Sequence, residues 1–244
     1  MNVLAIGNSF STDATRYLHD IAVAGGDKLE IVNLYIGGCS QERHYRNMLG
    51  DKKDYLLECN GHQTGFYVTM QEALLNREWD VITLQQASHF SAKKETYVPY
   101  ITELADYVRR CQPHAKILIH ETWAYEAESL RLFNVAKYPT PEAMLADVKE
   151  AYRAAAELIH ADGMIPSGEM FMDLLARGIP KVHRDTFHAS LGLGRYALGL
   201  LWYRCLTGKS VLDNSYNVFD VPVAEEDIAI VKACVESFEP IFHS

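Results

Sequence analysis

Short apolar runs alternate along the chain with longer stretches of helical period. Val3–Ile6 is apolar at every position and stops at Gly7-Asn8-Ser9, which predicts a strand covered on both faces. Leu29–Ile36, Asp80–Gln85 and Ala115–His120 repeat the pattern, and "GMIPSGE" adds a fifth short strand. Amphipathic stretches separate them: Thr12–Ala24, with Ser11 or Thr12 as cap, then "FYVTMQEALLNRE" and "YVPYITELADYVRRC". "TPEAMLADVKEAYRAAAELIHA" is a long helix with Pro141 near its first turn. "SLGLGRYALGLLWYRCL" is apolar almost throughout and predicts a buried helix, and "AEEDIAIVKACVESF" carries acids in its first turn, as the helix dipole favours.

Strands and helices in this alternation predict an α/β fold: a three-layer α/β/α sandwich around a parallel five-stranded sheet. No linker or repeat interrupts the pattern, so residues 1–244 read as one domain. The segment 40–65 is the least periodic and reads as an irregular insertion near the strand ends, a candidate lid or substrate-shaping loop.

Composition narrows the partners. The 244 residues are 48% hydrophobic, enough for a substantial core. Lys and Arg number 23 against 32 Asp and Glu, a net charge of -9, which argues against a nucleic-acid partner. No apolar run approaches the roughly 20 residues a membrane span needs, and no leader pattern opens the chain. Five scattered cysteines without a CxxC pair fit a reduced, cytoplasmic interior. The pattern leaves the oligomeric state open.

In an open parallel sheet, ligands bind beyond the carboxyl ends of the strands. Small or polar residues gather at those ends here: Gly7-Asn8-Ser9, Gly37-Gly38, Gln85-Gln86 with Ser88 and His89, and His120-Glu121-Thr122-Trp123. A base is supplied late in the chain by "RDTFHASLGLG". Asp185 and His188 are three residues apart, close enough for the carboxylate to accept the Nδ1 proton and leave Nε2 facing a hydroxyl. Ser9, between a strand and a helix start, is the candidate hydroxyl. Two other chemistries fit less well. His183, Asp185 and His188 could ligate a metal, but no fourth ligand stands near them. Cys39 near His44 could be a thiol nucleophile, but nothing in the sequence would lower its pKa.

The blocks "IGNSFS", "YIGGCS", "WDVITLQQ", "TWAY" and "DTFHASLGLG" resemble, in that order, those of the SGNH (GDSL-like) hydrolase superfamily. The chain resembles a bacterial branch of it described as a domain of unknown function. The resemblance implies a flavodoxin-like fold and a serine esterase without metal or cofactor. Its substrate would be a small acyl ester, preferably acetyl, on a small molecule or a carbohydrate. The resemblance implies Ser9 as nucleophile, His188 as base and Asp185 as its partner, with an oxyanion hole from the N–H groups of Ser9 and Gly38. One block departs: "LQQASH" stands where the superfamily carries an oxyanion-binding Asn, so an amide of Gln86 or Gln85 is expected to take its place, Gln86 being favoured because neighbouring strand residues point oppositely. Gln85, Trp123 and His89 are the candidate substrate contacts, Trp123 and Tyr125 by stacking on a sugar. A binding domain that keeps the fold without turnover is the alternative reading.

Overall fold

The computed structural model describes residues 1–242. The five expected strands are all present and parallel: β1 (Asn2–Gly7), β2 (Glu30–Tyr35), β5 (Val81–Leu84), β6 (Lys116–Glu121) and β7 (Gly163–Pro166). Two more strands, β3 (Tyr55–Cys59) and β4 (His62–Val68), form an antiparallel hairpin on the β2 edge. The sheet therefore has seven strands, not five, in the order β4-β3-β2-β1-β5-β6-β7. β1 lies between β2 and β5: the chain runs outward from it to β2, β3 and β4, then crosses back past it to β5, so the strand order reverses at β1. The crevice at its carboxyl end is the topological switch point where such sheets bind ligands.

The segment 40–65 is correspondingly not an irregular insertion. It holds a helix, α3 (Gln41–Leu49), capped by the Ser40 hydroxyl, followed by the hairpin. Asn60 and Gly61 make the hairpin turn with φ of 49° and 79°, the two positive angles that a type I′ turn demands and that Asn-Gly favours. Sequence periodicity missed β4 because it is an edge strand exposed on most of its length, so no buried face imposes alternation.

Helices cover both faces. The first helical stretch divides into α1 (Ser9–Thr15) and α2 (Leu18–Ala24), and its cap is Asn8 rather than Ser11 or Thr12. In "FYVTMQEALLNRE" the first three residues finish β4, and α4 (Met70–Leu75) begins only after a Thr69/Glu72 capping box. α5 (Tyr100–Cys111) and α6 (Pro141–Leu158) match their patterns. α7 (Ser167–Ala176), directly after β7, is an addition to the predicted set. α8 (Leu193–Thr207) is buried along nearly its whole length and packs on α1, α2 and the final helix α9 (Glu225–Glu236).

Close packing of α8 depends on glycine. A Cβ at Gly194 would lie 2.5 Å from the Val182 carbonyl oxygen and 3.2 Å from the Ala189 Cβ. The segment 182–189 can thus lie against the start of α8 only because that position has no side chain. Gly199 instead faces Ile21 of α2. Gly194→Ala should push the 182–189 segment outward and cost about 1–3 kcal/mol. A urea denaturation midpoint equal to that of the wild type would refute this.

Candidate active site

Two distant pieces of chain meet at the switch point. Ser9 is the first residue of α1, half-buried, at the carboxyl end of β1. Its Oγ lies 2.8 Å from Nε2 of His188. Nδ1 of the same ring lies 2.8 Å from Asp185 Oδ2, and the other carboxylate oxygen accepts the His188 backbone N–H at 2.8 Å. Asp185 therefore fixes both ring and backbone of His188. With Nδ1–H donated to the carboxylate, Nε2 presents its lone pair to the Ser9 hydroxyl. Burial alone would raise the Asp185 carboxyl. The hydrogen bonds from the His188 ring and backbone outweigh it and hold the acid below its usual value.

Asn8 holds the front of the site together. Its N-cap side chain accepts the Phe10 N–H at 3.0 Å, and the Ser11 hydroxyl accepts the Asn8 N–H at 3.0 Å. Asn8 Nδ2 donates to the Cys39 carbonyl at 3.1 Å, which ties the Gly37-Gly38-Cys39 turn after β2 to the start of α1. In that turn Gly38 is exposed at φ 60°, a left-handed angle that suits glycine. The Ser9 amide is one of the first-turn donors that a helix leaves without an internal partner.

Three expectations for neighbouring residues are corrected. Gln86 does not point its amide into the crevice. It is fully buried; its Nε2 donates to the Thr96 carbonyl and hydroxyl at 3.1 and 3.2 Å, and its Oε1 accepts the N–H groups of Gln41 and Ala87. Gln85 is no substrate contact either: it is buried, donates to Asn8 Oδ1 at 2.8 Å and accepts from His120 Nδ1 at 2.7 Å. Trp123 and Tyr125 are each 1% exposed, so neither offers a face to a sugar. Trp123 stacks on Phe10 at 4.2 Å and donates to the Phe187 carbonyl, supporting the loop that carries His188 from below. His89 is half-buried against Phe90, its pKa lowered by burial and then by Lys93.

Among the described residues, no three His, Cys, Asp or Glu side chains are grouped to hold a metal ion. His183 Nε2 is taken up by the Ala124 carbonyl at 3.1 Å. The Cys39 thiol is pushed up to about 12 by burial, the opposite of what a thiolate nucleophile needs.

Sequence reasoning missed the clamp on the His188 loop. Asp13, fully buried on α1, accepts the Ala189 N–H at 3.1 Å, Arg184 at 3.0 Å and Arg195 at 2.9 Å. Arg195 reaches on to Asp220, which also binds Arg16. Thr186, between Asp185 and His188, sits at φ 71°, an unusual angle for a β-branched residue and a store of about 1–3 kcal/mol of strain. Phe187 lies against the His188 ring at 4.0 Å, and the Arg131 guanidinium lies over the Phe187 ring at 4.2 Å. A "TD" on a helix and two arginines at positions 184 and 195 carry no spacing signature, which is why this network was invisible in the sequence.

Removing the Asp13 carboxylate leaves two part-buried guanidinium groups without their shared partner. Asp13→Ala is expected to cost about 3–5 kcal/mol in urea denaturation; a loss under about 1 kcal/mol would show that the clamp is dispensable. Glu121 offers a second test. This fully buried carboxyl lies near the amides opening α7, yet neither oxygen makes a well-formed hydrogen bond. Burial, with Glu169 nearby, pushes it up to about 8. Between about pH 4.5 and that value the folded chain keeps a proton that the unfolded chain has released, so stability falls as pH rises. Glu121→Gln should therefore stabilise by about 1–4 kcal/mol at pH 8 and change little at pH 4. A thermal-unfolding gain that is the same at both pH values would contradict this.

The comparisons with known proteins agree with this architecture. Residues 2–235 match the model of a domain of unknown function, DUF4886. A DUF4886 family protein from Bacteroides uniformis ATCC 8492 shares 30% identity and superposes with a TM-score of 0.90, covering 97% of this chain and 93% of its own. A proposed SGNH hydrolase from Slackia heliotrinireducens, 21% identical, has a TM-score of 0.62 over 84% of this chain and 98% of its own. A proposed GDSL-like lipase from Parabacteroides merdae ATCC 43184, 14% identical, has a TM-score of 0.52 over 82% and 93%. These two are likenesses of fold. No curated protein matches the sequence. Family match and fold together show that the chain belongs to the DUF4886 family, with the SGNH-like three-layer architecture.

Proposed function

We propose that the chain is a serine esterase that removes small acyl groups, acetyl above all, from a polar alcohol such as a carbohydrate. The observation that carries this reading is the continuous hydrogen-bonded line from Ser9 Oγ through His188 to Asp185, 2.8 Å at each step. In the proposed reaction Ser9 Oγ attacks the ester carbonyl while His188 Nε2 takes its proton, and the same imidazolium then protonates the departing alcohol. Water deprotonated by His188 attacks the acyl-serine, the carbonyl–Oγ bond breaks, and Ser9 recovers its proton as the acid leaves. Asp185 keeps the imidazole in the useful tautomer and stabilises its charged form. The backbone N–H groups of Ser9 and Gly38 are the proposed oxyanion donors, the first with the positive end of α1 behind it. The exposed Gly37-Gly38 turn offers a bulky alcohol room to approach.

With the Gln86 and Gln85 amides committed elsewhere, this oxyanion hole rests on two donors. A third donor is typically worth about 10²–10³ in rate, so modest turnover of simple esters is expected. The same observation favours the second reading, a domain that binds an acylated ligand without turnover. Hydrolysis of p-nitrophenyl acetate separates the two. For the esterase, Ser9→Ala should lower kcat by about 10³-fold or more and a fluorophosphonate should label Ser9 alone. Asp185→Asn should cost about 10²–10⁴-fold in kcat. Equal rates for wild type and Ser9→Ala, with no labelled Ser9 peptide, would leave the binding role.

A further inference from the structure

A cavity of about 530 Å³ lies behind the His188 loop, and neither Ser9 nor His188 lines it. Phe171, Met172 and Leu175 from α7, with Pro180, give it an apolar wall, and Glu126, Lys181 and His183 close its polar end. That volume falls in the usual range for small-molecule sites.

The polar end contains an unsatisfied pair. His183 is 5% exposed. Its Nε2–H donates to the Ala124 carbonyl at 3.1 Å, which leaves Nδ1 with a lone pair when the ring is neutral. Burial keeps it neutral, pulling its pKa down to about 4 against the effect of the Ala124 hydrogen bond. Nδ1 has no hydrogen-bond partner, and what faces it at 3.3 Å is Glu126 Oε1, a second acceptor. Two acceptors at that distance with no proton between them repel, and a buried acceptor without a donor is costly. The Glu126 carboxylate is itself largely buried, with only Lys181 at 3.4 Å on its other oxygen. Glu128 and Glu142 also line the cavity, so its charged side chains are three acids against one lysine.

The geometry points to a binding site for a small amphipathic amine: the Glu126 side chain turns aside to uncover His183 Nδ1, the ammonium enters between them and donates to both, and the apolar body lies along Phe171, Met172 and Leu175. An ammonium has three donors and a positive charge, so it satisfies both acceptors and offsets the surplus of acid. A neutral hydroxyl brings one donor and no charge, and a carboxylate brings only further acceptors. The site is separate from the proposed hydrolysis, and its occupancy is read without any ester.

Isothermal titration of the full chain with phenethylamine, protonated at neutral pH, tests this against its isostere 2-phenylethanol. One saturable site is expected, with the alcohol weaker by about tenfold or more. Glu126→Gln should weaken the amine by about tenfold, whereas Lys181→Met, which removes an exposed competing cation, should tighten it. Long-range ¹H–¹⁵N spectra of the free protein should show His183 Nδ1 unprotonated. The inference is overturned by equal binding of amine and alcohol, by no saturable uptake of the amine, or by a His183 already carrying both protons in the free chain. Loss of amine binding in Lys181→Met would overturn it as well.

Discussion

Everything at the site depends on holding a loop whose own secondary structure is a single bridge, between His183 and Ala189. Ser9 is placed by the sheet and the first turn of α1, but His188 lies 179 residues further on, in a segment that is neither helix nor named strand. Fixing such a segment costs roughly 1–2 kcal/mol of backbone entropy per residue, so it must be tied down at several points. The ties come from the element that carries Ser9. Asp13, four residues beyond Ser9 on α1, accepts the Ala189 N–H and two guanidinium groups, one from Arg184 within the loop and one from Arg195 at the start of α8. Nucleophile candidate and base candidate are therefore registered by one buried carboxylate, and Gly194 lets α8 close over the loop from behind.

A second network fixes the strand ends, and its polarity can be read from one backbone group. The Cys39 carbonyl can only accept, so Asn8 must turn Nδ2 towards it and present Oδ1 to Gln85 Nε2. Gln85 then has Oε1 left for His120 Nδ1–H, and His120 Nε2 accepts from the Ser167 hydroxyl at 3.2 Å. The line runs from the β2 turn across the ends of β1, β5 and β6 to the start of α7. It works only with His120 neutral, and burial pushes that ring down to about 3. Buried His44 has the same low value for the same reason. Below about pH 6.5 the unfolded chain takes up protons that these rings refuse. Their neutrality is therefore paid in stability at up to about 1.4 kcal/mol per pH unit each, until the folded values are reached.

The parallel core and the triad candidates were legible because each leaves a local signature. Buried parallel strands read as unbroken apolar runs, and Asp-x-x-His sits within one turn of chain. The edge hairpin was legible only at its Asn60-Gly61 turn, since an exposed strand carries no alternation to read. Gln86 shows a different limit. Its residue type suited an oxyanion donor, but whether an amide faces a crevice or a backbone carbonyl depends on what else needs a partner, and Thr96 and Gln41 needed one. Trp123 fails for a similar reason: an aromatic near a strand end can face solvent or fill the core, and Phe10 decides it. Asp13 had no motif at all, because its partners come from residues 184, 189 and 195.

The segment 183–188 has two faces, and this couples features that look independent. One face carries His188 to Ser9; the other carries His183 and Thr186 into the wall of the cavity. Between them Thr186 holds a left-handed angle, kept there by its carbonyl accepting the Glu126 N–H at 2.9 Å and its hydroxyl donating to Ser129 at 2.9 Å. Glu126 thus grips the loop through its backbone while its side chain faces His183. A group that moved the Glu126 side chain would pull on the residue that sets the angle between Asp185 and His188. Packed interiors resist gradual deformation, so a displacement of Glu126 is passed to Thr186 through that backbone hydrogen bond rather than absorbed between them.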